Sequence, residues 1–100
     1  MSTPKGEKRK MQIQIRVDED VAQGVYANMA MVNHSDAEFT IDFVYIQPQA
    51  PQAKVRSRVI TSPRHLKRLV TALQENLARY EAKYGSVDMG VAPPQGEFKH

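Results

Sequence analysis

Residues 53–85, AKVRSRVITSPRHLKRLVTALQENLARYEAKYG, constrain the fold of this chain more than any other stretch. Leu66, Val70, Leu73, Leu77, Tyr80 and Tyr84 recur at alternating steps of four and three residues. That is the spacing of one face of a helix. Leu69 widens the seam at one end. Ser62 stands where a cap is needed, and Pro63 occupies a first helical position that requires no N–H. Gly85 supplies the stop. The spacing predicts a helix over 63–84, about 33 Å long at 1.5 Å per residue. Directly before it, 53–61 reads as a strand. Val55, Ser57 and Val59 face one way, and Lys54, Arg56, Arg58 and Ile60 face the other.

The upstream half carries further strand patterns. Met11, Ile13, Ile15 and Val17 alternate with Gln12, Gln14 and Arg16, as a half-buried strand does. Asp18-Glu19-Asp20 ends that run. Residues 21–33 are apolar on both faces from Val25 to Val32, although Gly24 interrupts. We read them as a strand buried on both faces or at an interface, with a short helix over 19–23 as an alternative start. Asn33 to Asp36 is a turn cluster. Residues 38–47 alternate again, with Phe39, Ile41, Phe43 and Tyr45 on one face and Thr40, Asp42, Val44 and Ile46 on the other. Gln47 to Gln52, with Pro48 and Pro51, forms a loop.

These elements predict an α+β fold, a four-stranded antiparallel meander followed by one long C-terminal helix (ββββα). A chain of 100 residues holds one such domain, here 11–85. Residues 1–10 read as a flexible basic arm and 86–100 as an extended or disordered tail. In this reading the first and third strands lay their apolar residues against the helix seam. One helix covers only one sheet face, so the other face calls for a homodimer or higher oligomer. Val25, Met29, Met31, Val44, Ile46, Tyr80 and Tyr84 are the expected core or subunit contacts.

Chemistry is sparse. The chain has no cysteine, which excludes disulfides and thiolate chemistry and suits a cytoplasmic setting. His34, His65 and His100 match no metal-ligand spacing, so no metal is expected. His34-Ser35-Asp36 is adjacency in a turn, not a converged triad. The five glycines are scattered and form no phosphate loop. Asp42 is expected to pair with Arg16, Arg56 or Arg58 across the sheet. Neither catalytic residues nor a cofactor emerge, and the expectation is a non-enzyme. No run is long and apolar enough for a membrane span, and 1–10 lacks the core of a secretory signal.

Charge is more informative. The net +3 divides into +3 over 1–10, −5 over 11–52, +6 over 53–84 and −1 over 85–100. Arg64, His65, Lys67 and Arg68 crowd the first turns of the helix, where cations oppose its dipole. Either the acidic 18–20 cluster or Asp36 and Glu38 from a neighbour neutralises them, or they form an anion site with the helix N-terminus. Lys54, Arg56 and Arg58 extend that second reading, and the arm Lys8-Arg9-Lys10 could wrap a nucleic-acid backbone.

Three stretches carry a family resemblance: Val25-Tyr26-Ala27-Asn28 on to Val32, Glu38 to Phe43, and Arg58-Val59-Ile60 through Ser62-Pro63 and Leu66-Lys67-Arg68-Leu69 to Asn76-Leu77, Tyr80-Glu81 and Gly85. From Ile13 to Gly85 the chain resembles a family of small bacterial proteins known as the domain of unknown function numbered 3467. The resemblance implies no activity, cofactor or site. In element order alone, four strands and a helix also resemble Whirly-type nucleic-acid binders and the SecB-type export chaperone. The functional expectation is a homo-oligomeric module that binds nucleic acid with little sequence preference. The alternatives are a protein–protein adaptor or chaperone-like oligomer and a self-assembling structural protein.

Overall fold

A computed structural model describes residues 12–91 of the chain. Asp18, Glu19 and Asp20 begin a single helical turn, α1 (Glu19–Ala22), in which the Val21 and Ala22 N–H groups donate to the Asp18 carbonyl. Gly24, at φ +73°, ends it with a conformation that glycine adopts at little cost. Three strands follow, β1 (Met29–His34), β2 (Phe39–Ile46) and β3 (Ala53–Thr61), paired antiparallel in the order β1-β2-β3. The turn between β1 and β2 is organised by Ser35. Its hydroxyl accepts from the Ala37 and Glu38 N–H groups, each at 3.2 Å, while its own N–H donates to the Glu38 carbonyl. The long helix α2 (Pro63–Tyr84) completes the described fold.

The fold class is therefore α+β, with a three-stranded antiparallel sheet and a C-terminal helix. The strand expected over 11–17 does not form within residues 12–17, and Met11 lies outside the described residues. Alternation selects extended backbone, but a strand also needs an edge to bond to. The outer edges of β1 and β3 are open, yet residues 12–17 pair with neither among the described residues, and Ile13, Ile15 and Val17 are 62–88% exposed. The strand expected over 21–33 narrows to Met29–His34. The short helix near 19–23 forms, and Gly24 separates the two.

β1 is extended backwards by a side chain. The Asn28 N–H donates to the Val44 carbonyl at 3.0 Å. Its side-chain amide then accepts from the Ile46 N–H at 2.8 Å and donates to the Ile46 carbonyl at 3.0 Å. The carboxamide imitates a peptide group and satisfies the end of β2, where a further strand residue would otherwise be needed. Tyr26 meets the Tyr45 ring edge-on at 6.2 Å, which pins the approach to the sheet.

Register assigns the faces. Met29, Met31 and Asn33 share one face with Val44, Asp42 and Thr40, and with Val55, Arg58 and Ile60. Ala30, Val32 and His34 share the other with Phe43, Ile41 and Phe39. Among the described residues only Ile41, Asp42 and Val44 are buried, all in the middle of β2. Of the expected contacts, Val44 is buried and Met29, Met31 and Ile46 are half-buried, whereas Val25, Tyr80 and Tyr84 stay exposed.

The helix does not lie across the sheet as expected. Ser62 alone separates β3 from α2, and its extended conformation (φ −78°, ψ 159°) is the one a residue before proline prefers. So short a junction does not turn the helix back over a sheet face. From Leu69 to Tyr84 the seam is 38–65% exposed. The radius of gyration is 18.4 Å, against about 13 Å for a compact domain of 100 residues. The described chain is a well-formed sheet and a well-formed helix with little packing between them.

Candidate functional site

The basic residues of 53–68 do not form one surface, because β3 carries a bulge. Phe43 pairs with Ser57 and Val44 with Val55, so Arg56 is the extra residue on β3. A bulge resets the alternation of the strand. Lys54, paired with Tyr45, falls on the sheet face of Phe43 and Ile41. Arg58, paired with Asp42, falls on the opposite face. The expected ladder Lys54-Arg56-Arg58 is thus split between the two sides of the sheet.

Arg58 is also engaged. Its Nε donates to Asp42 Oδ1 at 2.7 Å and its Nη2 donates to Asp42 Oδ2 at 3.0 Å. This is the planar, two-bond match that guanidinium and carboxylate geometry favour. Asp42 is 1% exposed, so the pair neutralises the one buried charge among the described residues. The hydrogen bonds from Arg58 hold the Asp42 carboxyl below its ordinary value; burial pushes it up, and the guanidinium charge lowers it further. Arg58 is raised by the same hydrogen bonds and by the carboxylate charge. Of the three arginines expected to partner Asp42, the structure selects Arg58. Its role is structural before it is anything else.

On α2 the picture differs. Arg64, Lys67, Arg68 and Thr71 line a shallow depression on the helix surface, and all four are exposed. At about 100° per residue, Arg64, Arg68 and Thr71 lie opposite the apolar seam and Lys67 lies on its flank. None of the three cations forms an ion pair among the described residues, where the pairs are Arg58–Asp42 and Arg79–Glu75. The acids of 18–20 and the pair Asp36 and Glu38 do not neutralise them within the chain.

The helix N-terminus itself has little left to offer an anion. Pro63 has no N–H, the His65 N–H donates to Ser62 Oγ at 3.1 Å, and the Leu66 N–H donates to the Ser62 carbonyl at 2.9 Å. Among the described residues this leaves the Arg64 N–H as the unspent donor of the first turn. Any anion held here is held chiefly by side chains. Lys8, Arg9, Lys10 and His100 lie outside the described residues. His34 packs on Phe39 at 5.2 Å between ring centres. Among the described residues no three His, Asp or Glu side chains gather as a metal set, and no helix is long and apolar enough to cross a membrane.

The C-terminal end of α2 is balanced in charge, Glu75 and Glu81 against Arg79 and Lys83, where the start is basic. Glu81 Oε2 accepts from the Val87 N–H at 2.8 Å, and Gly85, at φ +101°, donates to the Glu81 carbonyl. Tyr80 and Tyr84 stack obliquely at 4.9 Å, and Lys83 Nζ lies 5.2 Å from the Tyr84 ring centre. Two features escaped the sequence reading. Asn28 gave no sign beyond its residue type. The bulge at Arg56 gave none.

The chain belongs to the family described as protein of unknown function (DUF3467), which matches residues 1–89. The match runs beyond the 13–85 on which the resemblance rested and takes in the basic arm over 1–10. No curated protein and no solved structure matches the chain.

Proposed function

We propose that this member of the DUF3467 family is a non-enzymatic, homo-oligomeric binding module that holds a polyanion, nucleic acid with little sequence preference, on the rear face of α2. One observation carries the reading. Arg64 and Arg68, with Lys67 beside them, stand exposed on successive helical turns without an acidic partner among the described residues. Arginines in such a row can follow a phosphate backbone without reading bases. Lys54 and Arg56 on β3, and the arm Lys8-Arg9-Lys10, add positive charge to the chain. Arg58 contributes less, being bound to Asp42.

The test is anisotropy of a labelled single-stranded oligonucleotide, titrated with protein at several salt concentrations. Phosphate contacts release counterions, so affinity should fall steeply with salt. Replacing both Arg64 and Arg68 with Ala should reduce the slope of log affinity against log salt by about 1 for each contact removed. An unchanged slope and affinity would refute the assignment. The second reading, a protein–protein adaptor or chaperone-like oligomer, is favoured by the exposed seam of α2. Binding of an apolar peptide that ignores salt would support it instead.

A further inference from the structure

The seam of α2 is long, regular and uncovered, and its own sequence says what fits it. We infer that it is the pairing surface for a second copy of α2, laid antiparallel. This deepens the homo-oligomeric part of the proposed function and is independent of the polyanion part. The steps 4-3-4-3-4 from Leu66 to Tyr84 are those of the two core positions in a coiled-coil repeat. Reversing one copy aligns all six at once. Leu66 meets Tyr84 of the second copy, Val70 meets Tyr80, and Leu73 meets Leu77. Each ring faces an aliphatic side chain at the far end of the partner helix. In a parallel pair, Tyr80 would meet Tyr80, Tyr84 would meet Tyr84, and the smaller residues would meet one another.

Charge selects the same orientation. In the antiparallel register Lys67 stands across from Glu81 of the second copy, and symmetry repeats the pair. Glu81 has Oε1 free for this, since Oε2 takes the Val87 N–H. The crowded cations at the start of α2 then lie beside the carbonyl end of the partner helix, where positive charge is favoured. A parallel pair would instead set Arg64, His65, Lys67 and Arg68 of both copies side by side. The misplacement of cations that a single helix shows is removed by a reversed neighbour. Arg64 and Arg68, on the rear face, remain free.

Cysteine-free sequence makes site-specific labelling direct. The variants Arg64→Cys and Gln74→Cys, each carrying one spin label, would be measured by pulsed electron resonance on the full chain. In the antiparallel pair the two labels at 64 are separated by 22 residues of helix, about 33 Å along the axis. Labels at 74 lie nearly level, separated by little more than the helix spacing of about 10 Å and the label arms. Short distances at both sites would overturn the orientation while leaving an oligomer. A monomeric mass by light scattering would overturn the pairing and the oligomeric reading together. A charge exchange provides the second test. Lys67→Glu and Glu81→Lys should each weaken dimerisation about tenfold, and the double variant should restore it. Lys67 is exposed in the single chain, whereas Glu81 is half-buried and accepts from the Val87 N–H, so helicity by circular dichroism is measured on each variant alongside its mass. Failure of the double variant to recover would refute the register.

Discussion

The sheet and the helix of this protein answer to different kinds of completeness. β2 is finished within the chain: it has a neighbour on each side, and its middle residues Ile41, Asp42 and Val44 are buried. α2 is finished only locally. It has its cap, its first-position proline and its glycine stop, yet among the described residues its apolar seam is largely uncovered from Leu69 to Tyr84. Most of the stability of a helix in a protein comes from packing its amphipathic face, which capping does not replace. The apolar face of β2 is covered within the chain, whereas that of α2 is left to the second copy proposed above.

The largest effect is expected from Leu73→Asp. Leu73 is 60% exposed and touches no core in the single chain. If the chain alone were the whole fold, the change would be worth no more than about 0.5 kcal/mol either way, as for an ordinary surface site. If α2 pairs, it buries a carboxylate at the centre of the seam. Light scattering should then show monomers at concentrations where the parent is dimeric, with dimer affinity reduced at least about a hundredfold.

Asp42→Asn tests the other region. The Asp42 carboxyl sits below its ordinary value when folded, chiefly through the Arg58 hydrogen bonds. A lowered value in the folded state means that the carboxylate contributes stability above the unfolded value, near 4, and loses it as pH falls through the folded one. The parent should therefore be more stable than Asp42→Asn at pH 7. The gap should narrow in urea titrations as pH is lowered below about 4. A gap that does not change with pH would mean that the pair is not charged in the folded state.

The smallest effect sharpens the local side of the contrast. Ser62→Ala removes the hydroxyl that accepts from the His65 N–H, at a cost of about 1 kcal/mol. Circular dichroism should show reduced helicity and a lower melting point, with the dimer mass retained at moderate temperature. A loss as large as that from Leu73→Asp would mean that capping, not pairing, holds α2.

What could be read from the sequence follows the same division. Features set by neighbours along the chain were legible: α2 from its Ser62-Pro63 start to Gly85, the Ser35 turn, and the runs that became β2 and β3. The Asp42 pairing was legible to within three arginines, because opposite charges on one sheet face seek each other. Features set by contacts across the chain were not. The alternation of Met11 to Val17 reports that a strand is suitable, not that it joins either open edge of the sheet. The bulge at Arg56 split an apparently continuous basic ladder, since one inserted residue changes the face of every side chain beyond it. The seam of α2 was visible, but its partner was assigned to the sheet, and the single-residue junction at Ser62 denies it that position.

Whether α2 is covered by its own copy is decided by the mass of the unmodified chain in solution. Light scattering should give twice the 11.3 kDa of one chain for a folded, monodisperse species. A folded species of 11.3 kDa with α2 still helical would contradict it.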